Sequence, residues 1–274
     1  MLSVIIPANN ESGYIAACLA SLFASQPVPG GAEAIVVANG CDDNTADVAR
    51  ATHDLADKAG WGLTVIELAK GGKPMALNAG DTAAQGEMRV YLDADVRVSA
   101  PLMAQLVTAL AVEDARYATG KAVIPAARSA ITRAYARFWE KLPVAQSRAP
   151  GHGLFAVNAP GRKRWQTFPA LISDDTFVRL HFRPQERIGC PAPYTWPMIE
   201  GFRALVRVRR RQDQGVVEIS RLYPALMMNE GKARLQPTAL ARLAFTDIAG
   251  FTVYAAVSLA VRLKRDQSGW TRGR

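Results

Sequence analysis

Four short apolar runs, each followed by a polar turn and then a helical pattern, set the tightest limit on how this chain folds. They are Leu2–Pro7, Ala34–Ala38, Leu63–Leu68 and Met88–Leu92. Between them lie a helical pattern through Ile15, Leu19 and Leu22, a second from about Ala46 to Lys58, and a third containing Ala76, Leu77, Asn78 and Ala79. Strands that alternate with helices in this way predict an α/β fold, with an open, mostly parallel sheet flanked by helices. Ligands of such sheets bind outside the C-terminal ends of the strands. Glu11, Asn39, Asp43, Lys73 and the pair Asp93/Asp95 all follow strand ends. They are therefore expected to converge on one cleft.

What is missing narrows the classes. No G-x-G-x-x-G follows the first run and there is no Walker loop, which argues against a dinucleotide oxidoreductase and a P-loop NTPase. Cys18, Cys41 and Cys190 are far apart and have no metal-ligand spacing, a pattern suited to a reducing cytosol. Met1–Pro7 is too short for the apolar core of a signal peptide. The net charge of +9 is uneven. Residues 200–274 hold 14 Lys/Arg against 6 Asp/Glu, whereas residues 1–199 hold 19 against 18. A basic segment beside apolar sequence suits an anionic membrane surface. Nucleic acid is the other usual partner, but the chain has no zinc spacing, no RNP-like strand and no clear helix-turn-helix, so none is expected.

Asp93 and Asp95 end the fourth run one residue apart. On an extended backbone such a pair points to one side. Two like charges this close call for a cation. Mg²⁺ or Mn²⁺ answers that demand, taking carboxylate oxygens and filling its other positions with water and phosphate. An isolated Asp-x-Asp is also a common solvated turn, so the motif gains weight only from its surroundings.

Those surroundings resemble the nucleotide-binding half of family-2 glycosyltransferases of the GT-A fold. The resemblance rests on four blocks in order: Ser3-Val4-Ile5-Ile6-Pro7 with Asn10-Glu11; Val37-Ala38-Asn39-Gly40-Cys41-x-Asp43; Gly72-Lys73-x-x-Ala76-Leu77-Asn78-x-Gly80; and Leu92-Asp93-Ala94-Asp95. It implies a nucleotide-diphosphate sugar donor, a divalent metal (Mn²⁺ or Mg²⁺) and inversion at the anomeric carbon. By position, Pro7, Ala8 and Glu11 match the part that holds the nucleoside. Asn39 stands where the family usually has an acidic residue, and Ala38 replaces its common first aspartate. Lys73 and Asn78 match the loop lining the donor. Asp93 is expected to face ribose and sugar, and Asp95 to be the more direct metal ligand.

Further along, Ser99 or Pro101 opens a helix, Tyr117–Ile124 reads as a strand, and Arg128–Leu142 as an amphipathic helix. Gly151-His152-Gly153 corresponds to a glycine-rich segment on the acceptor side, which makes His152 a candidate contact to sugar or phosphate. Asp174 and Asp175 open a helix, where its dipole favours negative charge. They also resemble the family's acidic pair, in which the second acid is the catalytic base. Direct displacement needs such a base: Asp175 is the first candidate, with Asp174 as support or alternative. Glu186–Cys190 reads as a short strand, Pro191–Pro197 as a stiff loop and Ile199–Gln212 as an arginine-rich helix. Val208-Arg209-Arg210-Arg211-Gln212 lacks the Gln and Trp of the processive members' Gln-x-x-Arg-Trp, which implies transfer of one sugar at a time. Arg211 is a candidate for neutralising the diphosphate.

Leu243–Val261 is apolar apart from Asp247, and Arg262, Lys264 and Arg265 follow it. A helix packed on the body or lying in a membrane interface is the first expectation, and a membrane span the second. The last residues, from Asp266, read as disordered. The chain then divides into a glycosyltransferase domain over 1–232 (donor half 1–98, acceptor half 99–232) and a basic, apolar helical segment over 233–274. The expected acceptor is a glycan or lipid-linked intermediate of the bacterial envelope or of exopolysaccharide, met in the cytoplasm at the inner face of the membrane. The rivals are a sugar-1-phosphate nucleotidyltransferase, which would carry a glycine- and arginine-rich loop where Ala8–Glu11 stands, and a catalytically inactive scaffold of the same fold.

Overall fold

In the computed structural model, residues 1–147, 149–231 and 235–263 are described. The order of elements is β1 (Leu2–Ala8), α1 (Ile15–Phe23), β2 (Ala32–Asn39), α2 (Thr45–Arg50), α3 (His53–Lys58), β3 (Trp61–Leu68), α4 (Lys73–Ala83), β4 (Met88–Leu92) and β5 (Arg97–Val98). There follow α5 (Leu102–Leu110), β6 (Tyr117–Val123), α6 (Ala130–Trp139), β7 (Leu154–Val157), α7 (Ala159–Arg162), α8 (Asp174–Leu180) and β8 (Arg187–Thr195). The last elements among the described residues are α9 (Phe202–Leu222), α10 (Pro237–Thr246) and α11 (Ile248–Leu263).

One eight-stranded sheet runs in the order β3-β2-β1-β4-β7-β6-β8-β5. Its first four strands are parallel, as the alternating pattern predicts. The second half is mixed: β7 is antiparallel to both β4 and β6, β8 is parallel to β6, and β5 is antiparallel to β8. β1 shows why its sequence is nearly all apolar. Leu2, Val4 and Ile6 feed the core under α1 and α5, while Ile5 feeds the core under α4. A parallel strand covered on both faces needs apolar residues at both parities. Its one polar residue, Ser3, is buried and satisfied: its hydroxyl donates to Glu33 at 2.6 Å and accepts from the Gly86 N–H at 2.8 Å. A third cluster joins α6, α9 and α11 through Tyr135, Leu205, Val206 and Val257.

Four local readings change. The helix expected over Ala46–Lys58 breaks into α2 and α3 at Thr52, whose hydroxyl bonds back to the Ala49 carbonyl at 2.7 Å. Strand β8 continues through Pro191 and Pro193, which the sequence assigns to a loop. A register shift between Thr119 and Lys121 of β6 absorbs the prolines, which lack the N–H that a regular ladder needs. The helix that starts near Ile199 begins at Phe202 and runs past Gln212 to Leu222. The stretch Leu243–Val261 is two helices broken at Asp247. That carboxylate accepts from the Gly250 N–H at 3.0 Å, capping α11, and takes both Arg137 (2.8 and 2.7 Å) and Lys141 (3.1 Å). Among the described residues no helix is long and apolar enough to cross a membrane. Lys264, Arg265 and the tail from Asp266 lie outside the described residues.

Candidate active site

The cleft opens at the C-terminal ends of β1 and β4, lined by Pro7, Lys73, Asp93, Gly153, Asp174 and Asp175. Its centre is the Lys73 ammonium at the start of α4. Nζ lies 2.8 Å from Asp93 Oδ1 and 3.1 Å from Asp174 Oδ2. One cation thus links the Asp-x-Asp turn to the acidic pair 81 residues further on. Burial would lower the Lys73 pKa, but the Asp174 and Asp93 carboxylates outweigh it and push the ammonium well above its ordinary range. Burial pushes the Asp174 carboxyl up to about 6; Lys73 opposes this, and the charges of Asp175 and Asp93 add to it. Both acids sit in the first turn of α8. The side chain of Asp175 turns back to accept the Thr176 N–H at 2.6 Å.

Asp93 and Asp95 do not lie on extended backbone. The Val96 N–H donates to the Asp93 carbonyl at 3.1 Å, closing a β-turn over Asp93–Val96. The Asp93 N–H donates to the Gly153 carbonyl at 2.9 Å, which fixes that turn against the start of β7. Beneath it lies Cys18, whose thiol is held far above its usual range by burial first, then by Asp95, Asp93 and Glu11. Glu11, Asp93 and Asp95 therefore share one neighbourhood around the start of α1.

Several predicted donor contacts are spent inside the protein. Asn39 is buried, its amide donating to the Ala8 and Val37 carbonyls at 2.8 and 3.3 Å and accepting the Gly72 N–H at 2.8 Å. It clamps the Gly71-Gly72 loop to the end of β1. Asn78 clasps the Phe168 backbone from both sides, at 3.0 and 2.7 Å. Asp43 accepts the Thr45 N–H at 3.0 Å and the Ser12 N–H at 3.2 Å, tying the β2 turn to the start of α1. Ala8 is fully buried at the end of β1. The geometry gives Asn39, Asn78 and Asp43 the work of holding the cleft loops in place. Asn9 and Asn10 share it. Asn9 donates to the Asn39 and Gly40 carbonyls, and Asn10 accepts the Asp42 N–H at 2.7 Å.

In the loop before β7, His152 stacks on Trp196, with ring centroids 4.9 Å apart, and meets Trp139 at 5.5 Å. The flanking glycines answer packing needs. Gly151 and Gly153 have φ of +76° and +69°. A Cβ on the first would meet Tyr117 Oη at 1.8 Å, and on the second Trp196 Cδ1 at 2.8 Å. Helix α9 buttresses the acidic pair in a way short motifs do not signal. A Cβ on Gly215 would fall 2.1 Å from Ser173 Oγ, and Glu218 accepts the Ile172 N–H at 2.9 Å. Arg211 lies one turn before Gly215 on that face of α9.

Residues 3–165 match the model of glycosyl transferase family 2, and the chain belongs to that family. It is thereby an enzyme of sugar transfer from nucleotide-sugar donors. Three solved structures share the GT-A fold. The mannosyltransferase PcManGT from Pyrobaculum calidifontis, in complex with GDP-Man and Mn²⁺, superposes with TM-score 0.58 at 21% identity, over 97% of this chain and 76% of that one. TarS of S. aureus gives 0.56 at 16%, over 96% of this chain and 46% of TarS. Glucosyl-3-phosphoglycerate synthase from Mycobacterium tuberculosis, bound to Mn²⁺, UDP and glucosyl-3-phosphoglycerate, gives 0.51 at 21%, over 80% and 78%. No protein of curated function matches the sequence.

Among the described residues no cluster of three or more His, Cys, Asp or Glu makes a ready-built metal site. Mg²⁺ and Mn²⁺ use one or two carboxylates and complete their shell with phosphate oxygens and water. Asp95 and Asp93, on one β-turn at the end of β4, are the carboxylates that would hold such an ion.

Proposed function

We propose that this enzyme transfers a single sugar from a nucleoside-diphosphate sugar to an acceptor hydroxyl, with inversion at the anomeric carbon. The observation that carries the reading is Lys73 Nζ held between Asp93 and Asp174, which puts the donor-side and acceptor-side acids in one cleft. Asp175 takes the proton of the acceptor hydroxyl as its oxygen bonds to the anomeric carbon and the bond from that carbon to the diphosphate oxygen breaks. Asp174 holds Lys73 in place, and the ammonium faces the charge that develops on the leaving diphosphate. A divalent cation on Asp95 and Asp93 would supply further charge stabilisation there. Arg211 and His152 are assigned to the diphosphate and acceptor sides.

The acceptor is proposed to be a glycan or lipid-linked intermediate of the bacterial envelope, met at the inner face of the membrane. Exposed Phe245, Ile248, Leu259 and Leu263, with Arg242 and Arg262 on the same two helices, support that location. The test is a thermal-shift screen of nucleoside diphosphates and nucleotide sugars, with and without Mn²⁺, on wild type and Asp95→Ala. A ligand that binds only the native state raises Tm by an amount that grows with the logarithm of its excess over Kd. The expected outcome is Mn²⁺-dependent stabilisation by one nucleotide sugar, lost in the variant. Equal stabilisation of wild type and variant would overturn the metal assignment. No shift with any nucleotide would overturn the donor site.

A further inference from the structure

A second cavity lies between α9, α10 and α11, an open cleft enclosing ≈ 670 Å³ with its solvent-facing mouth included. Arg209 and Arg262 reach it from α9 and α11, and Ser258 lies between apolar walls made by Leu240, Phe251 and Val261. Arg262 makes no ion pair among the described residues. Arg209 is partly matched: its Nε donates to Asp213, which also lines the cleft, at 3.2 Å, and its Nη1 to the Tyr135 and Tyr254 hydroxyls at 3.3 and 3.4 Å, which leaves Nη2 uncommitted among the described residues. The Ser258 hydroxyl is buried and has no hydrogen-bond partner among the described residues. Such a group costs free energy until something accepts from it. Two guanidiniums, one waiting hydroxyl and an apolar wall are the chemistry that holds a phosphate carried on an aliphatic chain.

We propose that this cleft binds the phosphate head group of one anionic bilayer phospholipid, anchoring the enzyme to the membrane. The inference deepens the membrane location proposed above and rests on it. Helical geometry separates the cleft from the chemistry. At 100° per residue, Arg209 and Asp213 fall on the side of α9 opposite Arg211, Gly215 and Glu218, which face the acidic pair. The occupant is therefore not the reacting substrate. The same geometry divides α11 into three faces. Val257 packs inward. Phe251, Tyr254, Ser258 and Arg262 face the cleft. Ile248, Leu259 and Leu263 form an exposed stripe about a quarter turn from the cleft. That stripe suits the acyl boundary of a bilayer, and the cleft then opens at head-group depth.

The test measures partitioning of the full chain onto phosphatidylcholine vesicles with and without phosphatidylglycerol. It compares wild type, Ser258→Phe, Arg262→Gln and Arg207→Gln. Ser258→Phe fills the cleft without changing charge. Arg207 is exposed on α9 and does not line the cleft, so it reports general surface attraction. Wild type is expected to prefer the anionic vesicles. Arg262→Gln should weaken binding about fivefold, the loss of one cationic contact, Ser258→Phe at least as much because it blocks the cleft, and Arg207→Gln clearly less. Equal losses for Arg262→Gln and Arg207→Gln, with Ser258→Phe unchanged, would overturn the site in favour of plain surface charge. No preference for phosphatidylglycerol would overturn it outright. A melting scan with nucleotide sugar accompanies each variant. Unchanged donor stabilisation shows that the fold and the donor site are intact, so failure of the lipid site and failure of the transferase reading give different results.

Discussion

Asp174 in the cleft and Asp247 between α10 and α11 expose similarly little surface, 7% and 8%, and both are held by cations, but Asp174 lies deep in the body and Asp247 close to its surface. They titrate in opposite directions. Around Asp247 the bonds from Arg137 are the largest influence; with the Gly250 N–H and Lys141 they overcome burial and hold the carboxyl well below its usual range. Around Asp174 burial is the largest influence, Lys73 only partly offsets it, and the charges of Asp175 and Asp93 make it worse. The C-terminal carboxylate is saturated by a two-pronged arginine, a lysine and a backbone donor. The cleft carboxylate shares one ammonium with its neighbours and stays short of positive charge. An acid left in that state marks a site waiting for a ligand, whereas a saturated one is a fastener.

The largest effect expected from this contrast is kinetic. Asp175→Asn should lower kcat by about 10³-fold, within the range for removing a general base, while Mn²⁺-dependent stabilisation by the donor persists. Asp247→Ala should leave kcat within a factor of about two, because it acts on packing far from the reacting atoms. Steady-state rates and melting scans on both variants decide this. A large loss of kcat in Asp247→Ala at unchanged Tm would break the comparison.

The next effect is on stability against pH. The Asp174 pKa is about 6 in the folded chain, against about 3.9 when unfolded. The native state therefore binds the extra proton between those values, and this contribution to stability falls as pH rises from about 4 to about 6, then levels. Across that window the stability of wild type relative to Asp174→Asn should fall by on the order of 3 kcal/mol, read by urea unfolding. Asp247, depressed when folded, has the opposite sign. Its contribution is complete above the ordinary carboxylate range and is lost as pH falls through and below it. If the Asp174 difference proved flat with pH, Lys73 would be neutralising that acid fully and the two sites would be alike.

The same contrast shows what a sequence displays and what it hides. The parallel half of the sheet was legible because each strand is a local apolar run with a turn behind it. Lys73, Asp93 and the 174/175 pair were legible because short motifs carry them. The pairing of β7 with β4 and of β8 with β6 was not, since it depends on contacts far apart in sequence. Nor was the inward use of Asn39 and Asn78: an amide at a strand end looks the same whether it meets a ligand or a carbonyl. Gly215 and Glu218 looked like ordinary helix residues, and only the docking of α9 on Ser173 and Ile172 gives them a task. Asp247 told against a membrane span as a cost of burying charge. Its actual effect is to stop one helix and cap the next.

The smallest effect separates the two things Asp247 does. Its Oδ1 caps α11, and its charge pairs with Arg137 and Lys141, whose side chains are 52% and 36% exposed. Loss of an N-cap oxygen costs about 1–2 kcal/mol, whereas pairs with such solvent-exposed cations contribute about 0–1 kcal/mol. Asp247→Ala should therefore lower stability by about 1–2 kcal/mol. Asp247→Asn, which keeps an oxygen for the Gly250 N–H, should cost less than about 1 kcal/mol and respond little to salt. Chemical unfolding of both variants at low and high salt makes the distinction. If Asn proved as costly as Ala, and both losses relative to wild type vanished in salt, the charge and not the cap would hold α11 against α6. The cleft and the C-terminal face would then differ only in how many cations each carboxylate commands.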